Sequence, residues 1–459
     1  MNTFSKFLTT LNCFHPPWQT IPTVALTQIF DYLEPEDRRS AASVCYAWRQ
    51  CLFQKRYFRN FRFQIDVARD DQLTFFHRSM AHLVRKLVIV FDFHNAFQIQ
   101  KMRRLLYKVA RCENIQALRF QTHNVGLVAV GNMNSDHFVA IEQCFVEPLK
   151  LFLNRKSKPC HLLDLGAIEA LTYYGQDLLR SCGKPQELEQ LTLASLKYDP
   201  SHYPILSLDI TLLQKCANLQ VLSLDYDTLT DDLLHTIQVL PLRKFIIVVH
   251  GLDSEEQASV SEYAWANFAR HFTNIDLVLT LVYAYEAIEL LQTRVLRRHM
   301  PVTHVRLLFC EFMNSEALDW MSLNNKDTLR SIYYMDSAYK HNNRLDYARH
   351  NFLRQDPFVM MAWRCMHLEE IVVHGYLMDP HNLVGIARLR GRKLKRLEVS
   401  MIDWSMAPLN AYKEEICSLL GQQWAPIRID KLPPSLSYGP VDYEVRDQFV
   451  YEMLRQDLG

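Results

Sequence analysis

Trp18-Gln-Thr-Ile-Pro-Thr-Val-Ala-Leu-Thr-Gln-Ile-Phe-Asp-Tyr-Leu-Glu-Pro-Glu-Asp-Arg-Arg-Ser-Ala-Ala-Ser-Val-Cys-Tyr-Ala-Trp48 carries two helical patterns back to back. Leu26, Ile29, Phe30 and Leu33 fall at i, i+3, i+4, i+7, one apolar stripe of an α-helix. Pro22 suits the first turn, where a missing N–H costs nothing, and Thr20 suits the cap. Glu34 and Pro35 break the run. Pro35 restarts a helix, with Glu36 and Asp37 at its positive end. Ala41, Val44, Cys45 and Trp48 repeat the spacing. The stretch from Trp48 to Phe58 suits a third helix, with Arg49, Lys55 and Arg56 as a solvated face. A segment this short buries too little to fold alone. Its stripes must pack on the rest of the chain or on a partner, and the pattern by itself is equally that of two short core helices.

Composition narrows the field. The chain has 459 residues, enough for one to three domains, and 49% of them are hydrophobic, ample for a core. A formal net charge of +1 gives no global case for nucleic acid or a membrane surface. The 11 cysteines are odd in number and scattered, with no Cys-x-x-Cys pair. That pattern argues against a disulfide framework or a structural zinc site and points to a reducing compartment. The apolar residues near the amino terminus are too few and too interrupted for a secretory or spanning segment. The expectation is a soluble cytoplasmic and/or nuclear protein with no membrane association.

The opening segment resembles an F-box. That family has Leu-Pro or a variant at the start, an Ile-Phe-x-x-Leu helix, a Pro/Asp-rich break and a Val-Cys-x-x-Trp ending. The matching positions here are Ile21-Pro22, Ile29-Phe30 with Leu33, Pro35-Glu36-Asp37, and Val44-Cys45 with Trp48. Ile21 stands where Leu is usual, a swap that conserves volume.

From residue 61 a second pattern recurs: apolar, two residues, apolar, one residue, apolar. It appears as Val84/Leu87/Ile89, Ile115/Leu118/Phe120, Leu188/Leu191/Leu193, Leu219/Leu222/Leu224 and Leu242/Phe245/Ile247. It continues as Val302/Val305/Leu307, Leu329/Ile332/Tyr334, Leu368/Ile371/Val373 and Leu394/Leu397/Val399, with Ile275 and Val278 as a degraded copy. The last two positions alternate at period two, a short strand with one buried face. Helical stretches such as 231–240 and 262–269 lie between. This resembles a leucine-rich-repeat arrangement, although the Asn/Cys ladder position is mostly unfilled, and an ordinary α/β domain with leucine-rich strands is the competing reading. The fold class expected is α/β: a small helical F-box followed by an irregular leucine-rich-repeat solenoid. The boundaries read as a tail at 1–17, the F-box at 18–60, the solenoid at 61–430, and a tail or cap helix at 431–459. In the last segment Val445, Phe449 and Met453 step by four, as a helix covering the final repeat would.

Chemistry is sparse. Twelve glycines in the chain form no phosphate-cradling loop, and no hydrolase or metalloprotease motif occurs. Cys160-His161 and Cys365-Met-His367 are the tightest thiol–imidazole pairs, but lack further ligands at matching spacing. Neither a metal nor a cofactor is expected. Arg388-Leu-Arg-Gly-Arg-Lys-Leu-Lys-Arg396 reads as a solvated face, or alternatively as a nuclear or nucleic-acid contact.

The F-box resemblance implies a non-catalytic substrate receptor of an SCF-type ubiquitin ligase. It would bind a Skp-type adaptor and, through it, a cullin–RING ligase. The adaptor surface carried over residue by residue is Ile21, Pro22, Leu26, Ile29, Phe30, Leu33, Val44, Cys45 and Trp48, some of which must instead pack inside the F-box. If the strands line a concave face, the residues between the paired apolar positions point outward. They name Arg119, Thr192, Ser223, Arg306, Tyr333 and Glu398 as candidate contacts to a target protein. The alternatives are a scaffold that binds the adaptor outside a ligase, and a solenoid using residues 388–396.

Overall fold

In the computed structural model, the described residues are 21–66, 69, 71–122, 140–206, 208–251, 260–337, 356–403, 409–437 and 443–458. The tail at 1–17, Trp18, Thr20 and the Tyr438-Gly-Pro440 turn lie outside them.

Four short helices open the described chain: α1 (Thr23–Tyr32), α2 (Pro35–Ala42), α3 (Tyr46–Leu52) and α4 (Lys55–Phe58). Pro22 is the residue preceding α1 and makes no side-chain cap. Pro35 occupies the first turn of α2, with Glu36 and Asp37 beside it. The expected continuous stripe from Ala41 to Trp48 is interrupted. Ser43 ends α2, its hydroxyl donating to the Ser40 carbonyl at 2.6 Å. A serine that bonds back to the backbone competes with helix continuation. Cys45 is extended and starts α3. The expected third helix divides into α3 and α4.

Beyond α4 the chain forms one sheet of 12 strands in sequence order. They are β1 (Asn60–Gln64), β2 (Lys86–Phe91), β3 (Ala117–Thr122), β4 (Leu162–Asp164), β5 (Gln190–Thr192) and β6 (Val221–Asp225). The rest are β7 (Lys244–Val249), β8 (Asp276–Val282), β9 (Val302–Leu308), β10 (Ser331–Met335), β11 (Glu370–Met378) and β12 (Arg396–Ile402). All neighbours pair in parallel. The register is set by an apolar column: Phe61, Leu87, Leu118, Leu163, Leu191, Leu222, Phe245 and Leu277 lie side by side. A one-residue slip would turn the whole column to the other face, so burial of that face fixes the pairing. Two copies escaped the leucine template because other residues fill it. Phe58/Phe61/Phe63 is β1, and Cys160/Leu163/Leu165 is β4. The copy assigned to Ile275 and Val278 is out of phase: Leu277 and Leu279 pair with Phe245 and Ile247, beside a register shift into β9.

Helices return the chain outside the sheet. Five of them are α5 (Ala96–Ala110), α6 (Asp231–Ile237), α7 (Glu262–His271), α8 (Ser315–Asn324) and α9 (Pro357–Arg364). Each begins behind a capping side chain: Asn95, Thr230, Ser261, Asn314 and Asp356 accept from the first free backbone N–H groups. Helix α10 (Pro380–Arg390) is capped by Asp379. The inner faces of helices and sheet form one continuous apolar core. Phe53 and Phe58, stacked with centroids 5.9 Å apart, lead from the helical segment to Phe61 and Phe76, so the two parts share packing.

Past β12 and α11 (Leu409–Leu420), the Trp424 indole donates to Leu397 O at 2.9 Å and Ile427 N to Val399 O at 2.8 Å. These contacts cover the last strand, the job expected of the C-terminal helix. That helix, α12 (Tyr443–Asp457), goes elsewhere. Tyr451 donates to Phe120 O on β3 at 2.9 Å, while Asp457 pairs with Arg306 on β9. In a flat sheet those strands would stand about 29 Å apart, six spacings of about 4.8 Å. Tyr451 and Asp457 stand only about 9 Å apart along the helix, at about 1.5 Å per residue. The sheet therefore curls around α12, which fills its concave side.

Candidate functional site

Leu26 and Phe30 face inward from α1 and, with Ala42 and Cys51, form the small core of the N-terminal helices. The Phe30 and Trp48 rings meet edge to face with centroids 6.1 Å apart. Arg38 ties the unit together: its guanidinium donates to Phe30 O at 2.8 Å and lies over the Tyr57 ring. Tyr57 in turn donates to Asp31 at 2.8 Å, and Asp31 pairs with Arg56 at 2.8 Å.

The nine residues named for the adaptor surface separate into three groups. Leu26 and Phe30 are 1% and 0% exposed and belong to the interior. Ile21, Leu33, Cys45 and Trp48 are half-buried, with Ile21, Leu33 and Trp48 packed on that interior. Pro22, Ile29 and Val44 face solvent. Val24, Tyr32 and Tyr46 join them: Tyr32 is 91% exposed, Tyr46 74% and Val44 62%. Val24, Tyr32 and Tyr46 were missed because the helical template tracks the inward stripe only. Ala25, Ile29 and Tyr32 form a second stripe at i, i+4, i+7, a signal that was legible. Val24, Ile29, Tyr32, Val44 and Tyr46 are large apolar side chains that stay exposed on a small helical unit.

On the solenoid, all six candidate target contacts fall on the face opposite the leucine column. Arg119, Thr192 and Ser223 share one register column with Asp164. Arg306, Tyr333 and Glu398 share another with Val372. Five of the six are buried, and Glu398 is half-buried. Arg119 and Asp164 form a buried pair at 3.0 Å, and Arg306 is held by Asp457 of α12. Thr192 and Ser223 are buried, and Gln190 on the same strand as Thr192 donates to Leu458 O at 3.3 Å. Tyr333 donates to Glu370 at 2.6 Å between the guanidinium groups of Arg306 and Arg396. Glu398 keeps partial exposure and accepts from His374 and Arg396. Burial works to raise its pKa, but those two partners hold it below the usual glutamate value.

Three of the six cations in the basic run at 388–396 are paired with carboxylates. Arg388 pairs with Glu415 at 2.5 Å, Lys395 with Glu369 at 2.6 Å and Arg396 with Glu398 at 2.6 Å. Arg390 is buried and donates to Met366 O. Cys160 and Cys365 are interior thiols whose pKa burial pushes up to about 12. Among the described residues no group of three or more His, Cys, Asp or Glu side chains could hold a metal ion. No described helix is long and apolar enough to cross a membrane.

Against known proteins, residues 18–64 match the F-box-like family. The chain begins with an F-box-like domain. Its match spans the four helices and β1. F-box only protein 33 of Homo sapiens is 21% identical over 469 residues, covering 88% of this chain and 82% of that protein. F-box/LRR-repeat protein 21 of Ovis aries is 21% identical over 429 residues, covering 89% of each. A solved internalin from Listeria monocytogenes covers 75% of this chain and 87% of its own, with 12% identity and a TM-score of 0.25. That superposition is too loose to add to the topology above. The chain thus joins an F-box-like domain to a parallel solenoid of leucine-rich-repeat type.

Proposed function

We propose that this protein is a substrate-recognition subunit of an SCF-type ubiquitin ligase. Its F-box-like domain would dock a Skp-type adaptor, and its solenoid would hold a target protein. The observation that carries this reading is the division of labour in the F-box-like domain. Leu26 and Phe30 seal its own core, while Ile29, Tyr32, Val44 and Tyr46 stay in water. Large apolar side chains of this kind become hot spots when a partner covers them.

In this reading the work is positional. The chain holds a target so that a lysine meets activated ubiquitin carried elsewhere in the assembly, raising effective concentration without making bonds itself. With α12 seated in the concave face, the target is held on the rim or outer surfaces, or takes the place of α12. Co-purification of the full chain tests the proposal. Adaptor and cullin should be retained together, and Ile29→Ala with Val44→Ala should release both. Adaptor retained without cullin would instead favour a scaffold outside any ligase.

A further inference from the structure

The residue just ahead of each strand forms a column along one rim of the solenoid. In its first part the column reads Arg59, Arg85, Gln116, His161. Backbone bonds fix this alignment: Arg85 N donates to Arg59 O at 2.9 Å, Gln116 N to Arg85 O at 2.8 Å, and His161 N to Gln116 O at 2.7 Å. Adjacent strands lie about 4.8 Å apart, so the two exposed arginines are immediate neighbours. Like charges set side by side across strands are destabilising.

Further along the same rim the fold answers such charges with carboxylates. Arg330 pairs with Asp276 at 3.2 Å, and Lys395 with Glu369 at 2.6 Å. In the first part His161 meets Glu189 at 3.4 Å, but among the described residues Arg59 and Arg85 meet no carboxylate. There the rim and α4 enclose a groove of about 750 Å³, lined by six lysine or arginine residues and a single carboxylate, Glu187. Of the six, Arg56 pairs with Asp31, and Lys158 is bonded to the neutral Asn114 side chain at 2.5 Å. Among the described residues Lys55, Arg59, Arg85 and Lys184 have no ion-pair partner. A volume of this size is that of a ligand site.

We propose that this groove, between the F-box-like domain and the first strands, binds a phosphorylated segment of a partner protein. Paired guanidinium groups suit phosphate oxygens, which accept bidentate, charge-assisted hydrogen bonds. The four strand entrances span about 14 Å, the length of roughly four extended residues, so a peptide fits better than a lone ion. Among the described residues no Phe, Tyr or Trp lines the groove, and the His82 and His161 imidazoles are the only rings there to stack bases, which disfavours single-stranded nucleic acid. In treating the partner as a ligase target, the inference rests on the function proposed above. The binding itself does not.

The test is fluorescence anisotropy of the full chain with a short labelled peptide carrying two neighbouring phosphoserines. The phosphorylated peptide should bind at least roughly tenfold tighter than its unphosphorylated form, and more weakly as salt rises. Arg59→Ala and Arg85→Ala should each weaken binding roughly tenfold or more. Both side chains are exposed, so the variants keep the fold. Arg243→Ala, in the same column but outside the groove, should change nothing. Equal binding of the two peptides, indifference to both groove substitutions, or displacement by a single-stranded RNA that binds tighter than the phosphopeptide would overturn the site. Adaptor retention is read separately on the same variants: the groove variants should keep it, and a wild-type chain that binds phosphopeptide but no adaptor would remove the ligase reading while leaving the site.

Discussion

Phe30 is fully buried against the Trp48 ring, so Phe30→Ala should cost about 3–5 kcal/mol in chemical denaturation of the F-box-like domain. Its neighbour Ile29 is 38% exposed, and Ile29→Ala should move stability by no more than about 0.5 kcal/mol. If the proposed docking is right, the same substitution weakens adaptor binding by roughly tenfold or more. His304 on β9 offers a pH test. Burial lowers its pKa below the ordinary 6.5, with the cations Arg306, Lys244 and Arg330 acting in the same direction and Asp276 against them. Below pH 6.5 the unfolded chain takes a proton that the folded chain refuses. The stability this residue contributes is therefore present above pH 6.5 and is lost as the pH falls toward its folded pKa. Denaturation midpoints should drop more steeply with acid in the wild type than in His304→Gln.

Among elements, β11 and α12 carry the constraints that spacing does not show. Gly375 has φ +80, and a Cβ there would stand 2.4 Å from the Asp336 carbonyl oxygen. Its position coincides with the register irregularity between Val373 and Leu377. Gly375→Ala should cost about 1–3 kcal/mol, read as a lowered Tm. For α12, Asp457→Ala leaves the Arg306 guanidinium buried without its carboxylate and should cost about 3 kcal/mol in urea denaturation. The helix itself was legible from Val445, Phe449 and Met453. Its seat was not. Arg119, Thr192 and Ser223 read as solvent-facing polar positions, and nothing in a polar column invites a helix. The seat depends on pairings such as Tyr451 with Phe120, more than 300 residues apart in the chain, which local periodicity does not encode.

Across the whole molecule, the repeat pattern was readable because every inward column must be apolar for neighbours to stack. It failed where bulk came from other residues, as with Phe61 and Phe63 in β1 or Cys160 ahead of β4. The F-box-like helices were readable from their stripe, but a stripe does not say who covers the opposite face. The structure supplies that distinction, separating Phe30 from Ile29 and bringing Tyr32 and Tyr46 into view. It also shows the domain coupled to the solenoid through Phe53, Phe58 and Phe61, so a partner docked on one is held at a fixed place relative to the other. The most direct measurement is affinity purification of the full chain beside Ile29→Ala/Val44→Ala, probing for the adaptor and cullin. The account predicts both partners with the wild type and neither with the double variant, at unchanged Tm. A wild type that carries no adaptor, or a double variant that keeps it, would contradict it.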